Sequence, residues 1–154
     1  MPITPVSLPT DLPALTSLFR AYAASLPIDL GYQGFDGELA ALPGKYAPPA
    51  GALLIARDAA GAALGCVAMR PLEADICEMK RLYVAPAGRG QGLGRALTLA
   101  LIEAARTSGY REMRLDTLPT MTDAQKLYRA LGFTEIAPYY DTPIAGTVFM
   151  NLRL

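Results

Sequence analysis

Between residues 77 and 109 the hydrophobic period of the sequence changes once, and a cluster of glycines marks the change. Cys77 to Val84 reads as a strand halted by Pro86. From Leu93 onward Ala96, Leu97, Ala100, Leu101, Ala104 and Ala105 recur at helical spacing until Gly109, which predicts a helix with a broad buried face. Between the two lies Arg89-Gly90-Gln91-Gly92-Leu93-Gly94-Arg95. Glycines at a strand-to-helix junction let successive backbone N–H groups point at an anion, and the helix N-terminus adds its positive dipole end. The segment therefore reads as a phosphate cradle, with Arg89 and Arg95 adding charge. It is not a Walker loop, which ends Gly-Lys-Ser/Thr. Nor is it a dinucleotide fingerprint, because positions 95 and 97 are Arg and Leu where a third glycine is required.

The rest of the chain sets this unit in a larger order. Ile3 to Leu8 is a candidate strand, and Thr10-Asp11 offers an N-cap to a helix carrying Leu12, Leu15, Leu18, Phe19 and Tyr22 that Pro27 ends. A loop over 28–35 leads to a short helix near Asp36 to Leu42. Leu53 to Arg57 and Ala62 to Arg70 read as a hairpin around Asp58 to Gly61. After the glycine unit come a strand at Met113 to Thr117, a helix from a capping-box-like Thr120-Met121-Thr122-Asp123 to Leu131, and strands at Phe133 to Ile136 and Thr147 to Leu152. The order β-α-α-β-β-β-α-β-α-β-β predicts an α/β fold, a mixed sheet with helices on both faces, in one domain over 1–154.

Composition removes several kinds of chemistry. Fourteen basic residues balance fourteen acidic ones, so no global positive field exists to draw nucleic acid or membrane. The chain contains no histidine. Ser-His-Asp triads and histidine-ligated metal sites are thereby excluded, no metal is expected, and protons must move through carboxylate, tyrosine, lysine or water. Cys66 and Cys77 sit in apolar strand-like runs and read as reduced core residues. With no basic-then-apolar start and no long apolar run, the chain reads as cytoplasmic.

The stretch Cys77 to Pro86 followed by Arg89 to Arg95 resembles the acetyl-CoA signature Q/R-x-x-G-x-G/A of the GNAT N-acetyltransferase superfamily, which Arg89, Gly92 and Gly94 satisfy. Ala124 to Phe133 is similar to a second family block, A-x-x-L-Y-x-x-x-G-F. Where the family often carries Asn three residues before that Ala, this chain has Met121. Leu115-Asp116-Thr117-Leu118-Pro119 and Pro138-Tyr139-Tyr140 resemble segments of stand-alone bacterial members.

The resemblance implies a GNAT-like fold and an enzyme that moves an acetyl group from acetyl-CoA, its co-substrate, to a primary amine of a small molecule or peptide. A longer acyl donor and a non-catalytic acyl-CoA-binding module are the alternatives. Pairing into homodimers through the final strands is common in the family. The resemblance also implies that Leu82, Tyr83 and Val84 offer backbone groups to the pantetheine from a strand splayed from its neighbour. Arg89, Gly90, Gln91, Gly92, Leu93, Gly94 and Arg95 would hold the pyrophosphate. Tyr128 falls on the family's acid, although its helical stripe with Met121, Ala124 and Leu131 also suits an ordinary core aromatic. Glu78, fourteen residues before Gly92, falls where some members carry a glutamate base; it also suits an ion pair with Lys80 or Arg81. Simple alternation puts Glu78, Lys80, Leu82 and Val84 on one face and Met79, Arg81 and Tyr83 on the other, unless a bulge intervenes. The segments that admit the acceptor in the family carry Asp29, Asp36, Glu38 and Asp141 beside Tyr32, Phe35, Tyr139 and Tyr140, a mixture that suits a cationic amine.

Overall fold

A computed structural model describes residues 2–154. Its elements are β1 (Ile3–Pro5), α1 (Leu12–Ser25), α2 (Phe35–Ala40), β2 (Ala52–Arg57), β3 (Ala63–Glu73), β4 (Ile76–Val84), α3 (Leu93–Thr107), β5 (Glu112–Thr117), α4 (Thr122–Ala130), β6 (Thr134–Ile136) and β7 (Val148–Arg153). The strands form one sheet in the order β1-β2-β3-β4-β5-β7-β6, and the β4–β5 pair is parallel. Three short 3₁₀ turns, at Leu30–Gln33, Gly44–Tyr46 and Pro86–Gly88, are additions that the loose apolar spacing of those segments does not reveal.

Each face of the sheet has its own core. On one side Leu93, Leu97, Leu101, Ile102 and Ala105 of α3 and Tyr128 of α4 pack on Val67, Met69, Cys77, Met79, Met113 and Leu115. On the other, Leu15, Leu18 and Phe19 of α1 and Phe35 of α2 cover Leu53, Ile55, Cys66 and Ala68. The periodicity of α1 and α3 is thus the imprint of two separate buried stripes. Burial pushes the thiols of Cys66 and Cys77 up to about 12, which keeps both as neutral core groups.

Two helix starts differ from expectation. Asp11 does flank α1, but its carboxylate accepts from the Ser7 N–H at 2.7 Å and pairs with Arg57 at 2.8 Å instead of capping the helix. Neither Thr120 nor Thr122 caps α4; Met121 occupies that position and makes no side-chain capping bond.

Two departures from regular pairing shape the middle of the sheet. Cys66 opposes Tyr83 and Ala68 opposes Lys80, so Arg81 and Leu82 together face the single residue Val67. This is a β-bulge, with Arg81 at φ 62°, a left-handed conformation that costs a non-glycine residue about 1 kcal/mol. The bulge resets the faces given by simple alternation. Leu82 and Val84 rejoin Met79 on the α3 side, while Tyr83 joins the α1 side with its ring 6.4 Å from that of Tyr22. The second departure is a separation of strands. β4 and β5 pair only over Ile76↔Glu112, Cys77↔Met113 and Glu78↔Arg114, after which β5 continues pairing with β7 as far as Thr117. From Met79 onward the edge of β4 toward β5 is open, and the expected splay is present.

Candidate active site

A wedge opens where β4 leaves β5. Its walls are Met79 to Leu82 on one strand, Leu115 to Leu118 on the other, Tyr22 and the segment around Gln33 above, and Met121 and Tyr128 below. Its cavity is narrow, ≈ 40 Å³, and opens to solvent. Through Tyr22, Leu82 and Met121 it joins a groove along Tyr83, Val84, Arg89, Gly94 and the start of α4. The groove therefore leads from the wedge to the glycine loop.

That loop has the geometry of an anion cradle. Gly90 and Gly92 have φ of 77° and 71°, and a Cβ on either would meet nothing within 4 Å, so the requirement for glycine is conformational. Gly92 caps α3 without a side-chain bond. Among the described residues, none of the N–H groups from Gly90 to Arg95 has a backbone acceptor, and the first turn of α3 presents its orphan donors outward. Leu93 is buried in the core, so it contributes to the cradle through its N–H alone. The Arg89 Nε donates to the Val84 carbonyl at 3.1 Å, tying the loop to the end of β4 and leaving the rest of the guanidinium exposed. Gln91 and Arg95 are exposed, the former reaching the Ala87 carbonyl at 3.4 Å. A diphosphate fits this donor set: free N–H groups, a helix N-terminus and flanking guanidinium charge.

Tyr128 belongs to both readings given by sequence. Its ring is 5% exposed and lies 5.7 Å from that of Phe133, yet the side chain lines the wedge. Its hydroxyl has no partner in the chain among the described residues. Burial is the first cause raising it above the ordinary tyrosine range, so it stays a neutral donor.

Glu78 is placed differently. It is 1% exposed, lies outside the wedge lining, and both oxygens are taken: Arg70 Nε donates to Oε1 at 2.8 Å and the Tyr139 hydroxyl to Oε2 at 2.6 Å. Its ion-pair partner is thus Arg70, not Lys80 or Arg81, because register sets Arg70 directly across from it on β3. Tyr139 packs against Tyr140 and Phe149, and the Tyr140 hydroxyl donates to Oδ2 of Asp116. Glu78→Gln leaves Arg70 or Tyr139 without its acceptor. We expect a loss of about 1–2 kcal/mol, read as a melting temperature lower by several degrees, with the rate reduced evenly across pH. A rate loss confined to acidic pH would instead make Glu78 the base.

Sequence reasoning gave no place in the wedge to the three charges that line it, Lys80, Arg81 and Asp116. Asp116 was visible only as part of a family-like segment, and Lys80 only as an ion-pair candidate. Lys80 is 7% exposed, donates to Gln33 Oε1 at 3.1 Å, and pairs with no carboxylate. Arg81, by contrast, has its charge answered by a carboxylate. Its Nε and Nη2 each donate to Glu38 at 2.9 Å, Nη1 donates to Gln33 at 2.9 Å, and the Tyr22 and Phe35 rings flank its guanidinium. Thr117 Oγ1 is buried without a partner at the wedge. The acids expected to favour a cationic acceptor do not converge here. Asp29 caps the 3₁₀ turn, Glu38 neutralises Arg81, and Asp36 and Asp141 are exposed outside the wedge.

Burial is the largest cause acting on Lys80 and holds its ammonium below the ordinary value of 10.5. A lowered pKa in the folded state means that charging Lys80 opposes folding. The cost is full below the folded pKa and is lifted as pH rises from there toward 10.5. Lys80→Met should therefore raise the melting temperature by a few degrees at pH 7, about 1 kcal/mol, with the gain shrinking toward pH 10. Calorimetric melts over that pH series check it.

Residues 16–133 match the model of the Acetyltransferase (GNAT) family. The chain belongs to the GNAT acetyltransferases. It is 44% identical over 153 residues to an uncharacterized N-acetyltransferase of Schizosaccharomyces pombe, covering 99% of this chain and 94% of that one. It is 35% identical over 149 residues to the uncharacterized N-acetyltransferase YjgM of Escherichia coli, covering 94% and 87%. The fold also matches a GNAT-superfamily phosphinothricin acetyltransferase from Sinorhizobium meliloti, crystallised with acetyl-CoA. The TM-score is 0.73 at 20% identity, over 99% of this chain and 88% of that one. This GNAT protein is accordingly an acetyl-CoA-dependent N-acyltransferase.

Proposed function

We propose that this GNAT protein transfers an acetyl group from acetyl-CoA to the primary amine of a small molecule or peptide by direct attack within the wedge. The observation that carries the reading is the open edge of β4. It joins a row of unpaired N–H groups at residues 90–95 to a gap bordered by Tyr128 and Asp116. Acetyl-CoA, when bound, supplies an activated thioester. The chain contributes the rest. Residues Arg89 to Arg95 hold phosphate, the backbone of Leu82, Tyr83 and Val84 lines the groove and orients its occupant, and the walls of the wedge exclude water from the reacting carbonyl. Tyr128 points its neutral hydroxyl at the gap, where it serves as donor to the departing sulfur. Asp116 Oδ1, left free by Tyr140, accepts from the incoming amine and keeps it oriented. Glu78 acts one layer back as a positioning residue, holding Tyr139 against Tyr140 and thereby Asp116.

Thiol release measured against a panel of amines tests this reading. Turnover with acetyl-CoA exceeding that with propionyl- and longer acyl-CoA is the expected result. Turnover favouring the longer chain would move the donor assignment, and tight CoA binding with no thiol release for any amine would leave only a binding module.

A further inference from the structure

The wedge contains an unanswered cation opposite an unanswered anion. Lys80 and Asp116 stand on the same side of the sheet, one on each of the strands that part company, yet they form no ion pair. Lys80 is more than nine-tenths buried and spends one donor on Gln33, leaving two N–H bonds without an acceptor among the described residues. Gln33 cannot answer them, because its carbonyl oxygen is shared with Arg81 while its amide nitrogen donates to the Tyr32 hydroxyl at 2.9 Å. Asp116 has one oxygen occupied by Tyr140 and one free. Thr117 adds a buried hydroxyl with no partner. A buried ammonium that touches no carboxylate is costly in the empty protein even with Asp116 and Glu78 acting on it through space, and an anion that completes its hydrogen bonds lowers that cost.

We propose that the acceptor is a small zwitterion whose carboxylate lies close to its amine, an α-amino acid or near analogue, with Lys80 binding the carboxylate and Asp116 the amine. This deepens the transferase reading above and rests on it. The charge count selects a carboxylate. With Arg81 neutralised by Glu38, the wedge offers one free positive charge, which matches a monoanion and falls short of a phosphate dianion. The phosphates of the donor do not answer Lys80, because the glycine loop lies along the separate groove, whose lining omits Lys80. A purely cationic amine would leave Lys80 unpaired and add like charge beside it.

The test uses the whole protein with CoA present and amino acids of small, branched, aromatic, basic and acidic side chain. Each is compared with its carboxamide and with the amine lacking the carboxylate, for example leucine, leucinamide and isopentylamine. Calorimetry should show at least one amino acid binding about tenfold or more tightly than both neutral counterparts, the worth of a charge-assisted hydrogen bond. In Lys80→Met, whose folding is verified by its melting curve, that ratio should collapse to within about threefold. Equal affinity within every set in the wild type, binding of no amino acid, or an unchanged ratio in Lys80→Met would each overturn the proposal. Thiol release is read in parallel. Carboxylate-selective binding without release sinks the transferase reading alone, whereas release from the neutral amines with no carboxylate preference sinks this proposal alone.

Discussion

Replacing Gly92 with aspartate is expected to weaken CoA binding by about a hundredfold or more, whereas Lys126→Ala leaves it unchanged. Two effects meet at position 92. The residue sits at φ 71°, where a side chain costs about 1 kcal/mol, a penalty levied on the folded chain whether or not CoA is bound. The second effect acts on binding alone. A carboxylate about 5 Å from a diphosphate charge at the start of α3 is opposed by roughly 3 kcal/mol per phosphate charge at an effective dielectric of 20, which corresponds to a hundredfold or more. Gly92→Ala separates the two, because it carries the strain without the charge and should weaken binding far less. Lys126 is an exposed residue on α4 outside both wedge and groove. Titration calorimetry with CoA on the three variants decides the matter, and equal affinity for wild type and Gly92→Asp would place the diphosphate elsewhere.

The glycine loop was legible because its requirements are local. A strand period, a Pro stop, alternating glycines and a helix period occupy adjacent residues, and the cradle needs only backbone in that order. The element order was legible for the same reason. The two cores also announce themselves in the stripes of α1 and α3. What the sequence concealed is set by contacts across the sheet. Two-residue alternation cannot register the bulge at Arg81, because the residues that stabilise a positive φ there are Glu38, Gln33, Tyr22 and Phe35, all at least 43 positions away in the chain. Once the bulge is in place, Tyr83 turns toward α1. The partner of Glu78 was misjudged likewise, since Arg70 is found only through the β3–β4 register. Acidic loops near the acceptor end suggested a cationic substrate, but each acid there either caps a turn, pairs with arginine or faces solvent. The charge that matters, Lys80, is conspicuous only when its burial and its lack of a carboxylate partner are seen together.

Tyr128→Phe is expected to lower turnover by about a hundredfold with CoA affinity and melting temperature nearly unchanged. Stability should hold because the ring supplies the packing against Phe133 and the core of α3, and the hydroxyl surrendered has no hydrogen-bond partner among the described residues. The rate should fall because that hydroxyl borders the gap and donates to no acceptor among the described residues. Tyr139 is committed to Glu78, and Tyr140 to Asp116. The reference values of about 10 for tyrosine and about 8.5 for a thiol already make complete proton transfer uphill by about 2 kcal/mol. Burial raises Tyr128 further and widens that difference, so its part is to hold a hydrogen bond on the sulfur as negative charge develops, with solvent completing the protonation afterwards. A hydrogen bond to a charged acceptor is worth about 1.5–3 kcal/mol, roughly tenfold to more than a hundredfold in rate, against the hundredfold to ten-thousandfold of a full acid. The raised pKa also carries a sign: an unshifted tyrosine would lose its proton and its donor function near pH 10, whereas here the rate should show no loss on that account up to pH 10. Turnover, CoA affinity and melting measured on one preparation test the assignment. A fall of less than about threefold with an unchanged melt would return Tyr128 to the core and leave the sulfur to depart as thiolate unaided, which its modest basicity allows.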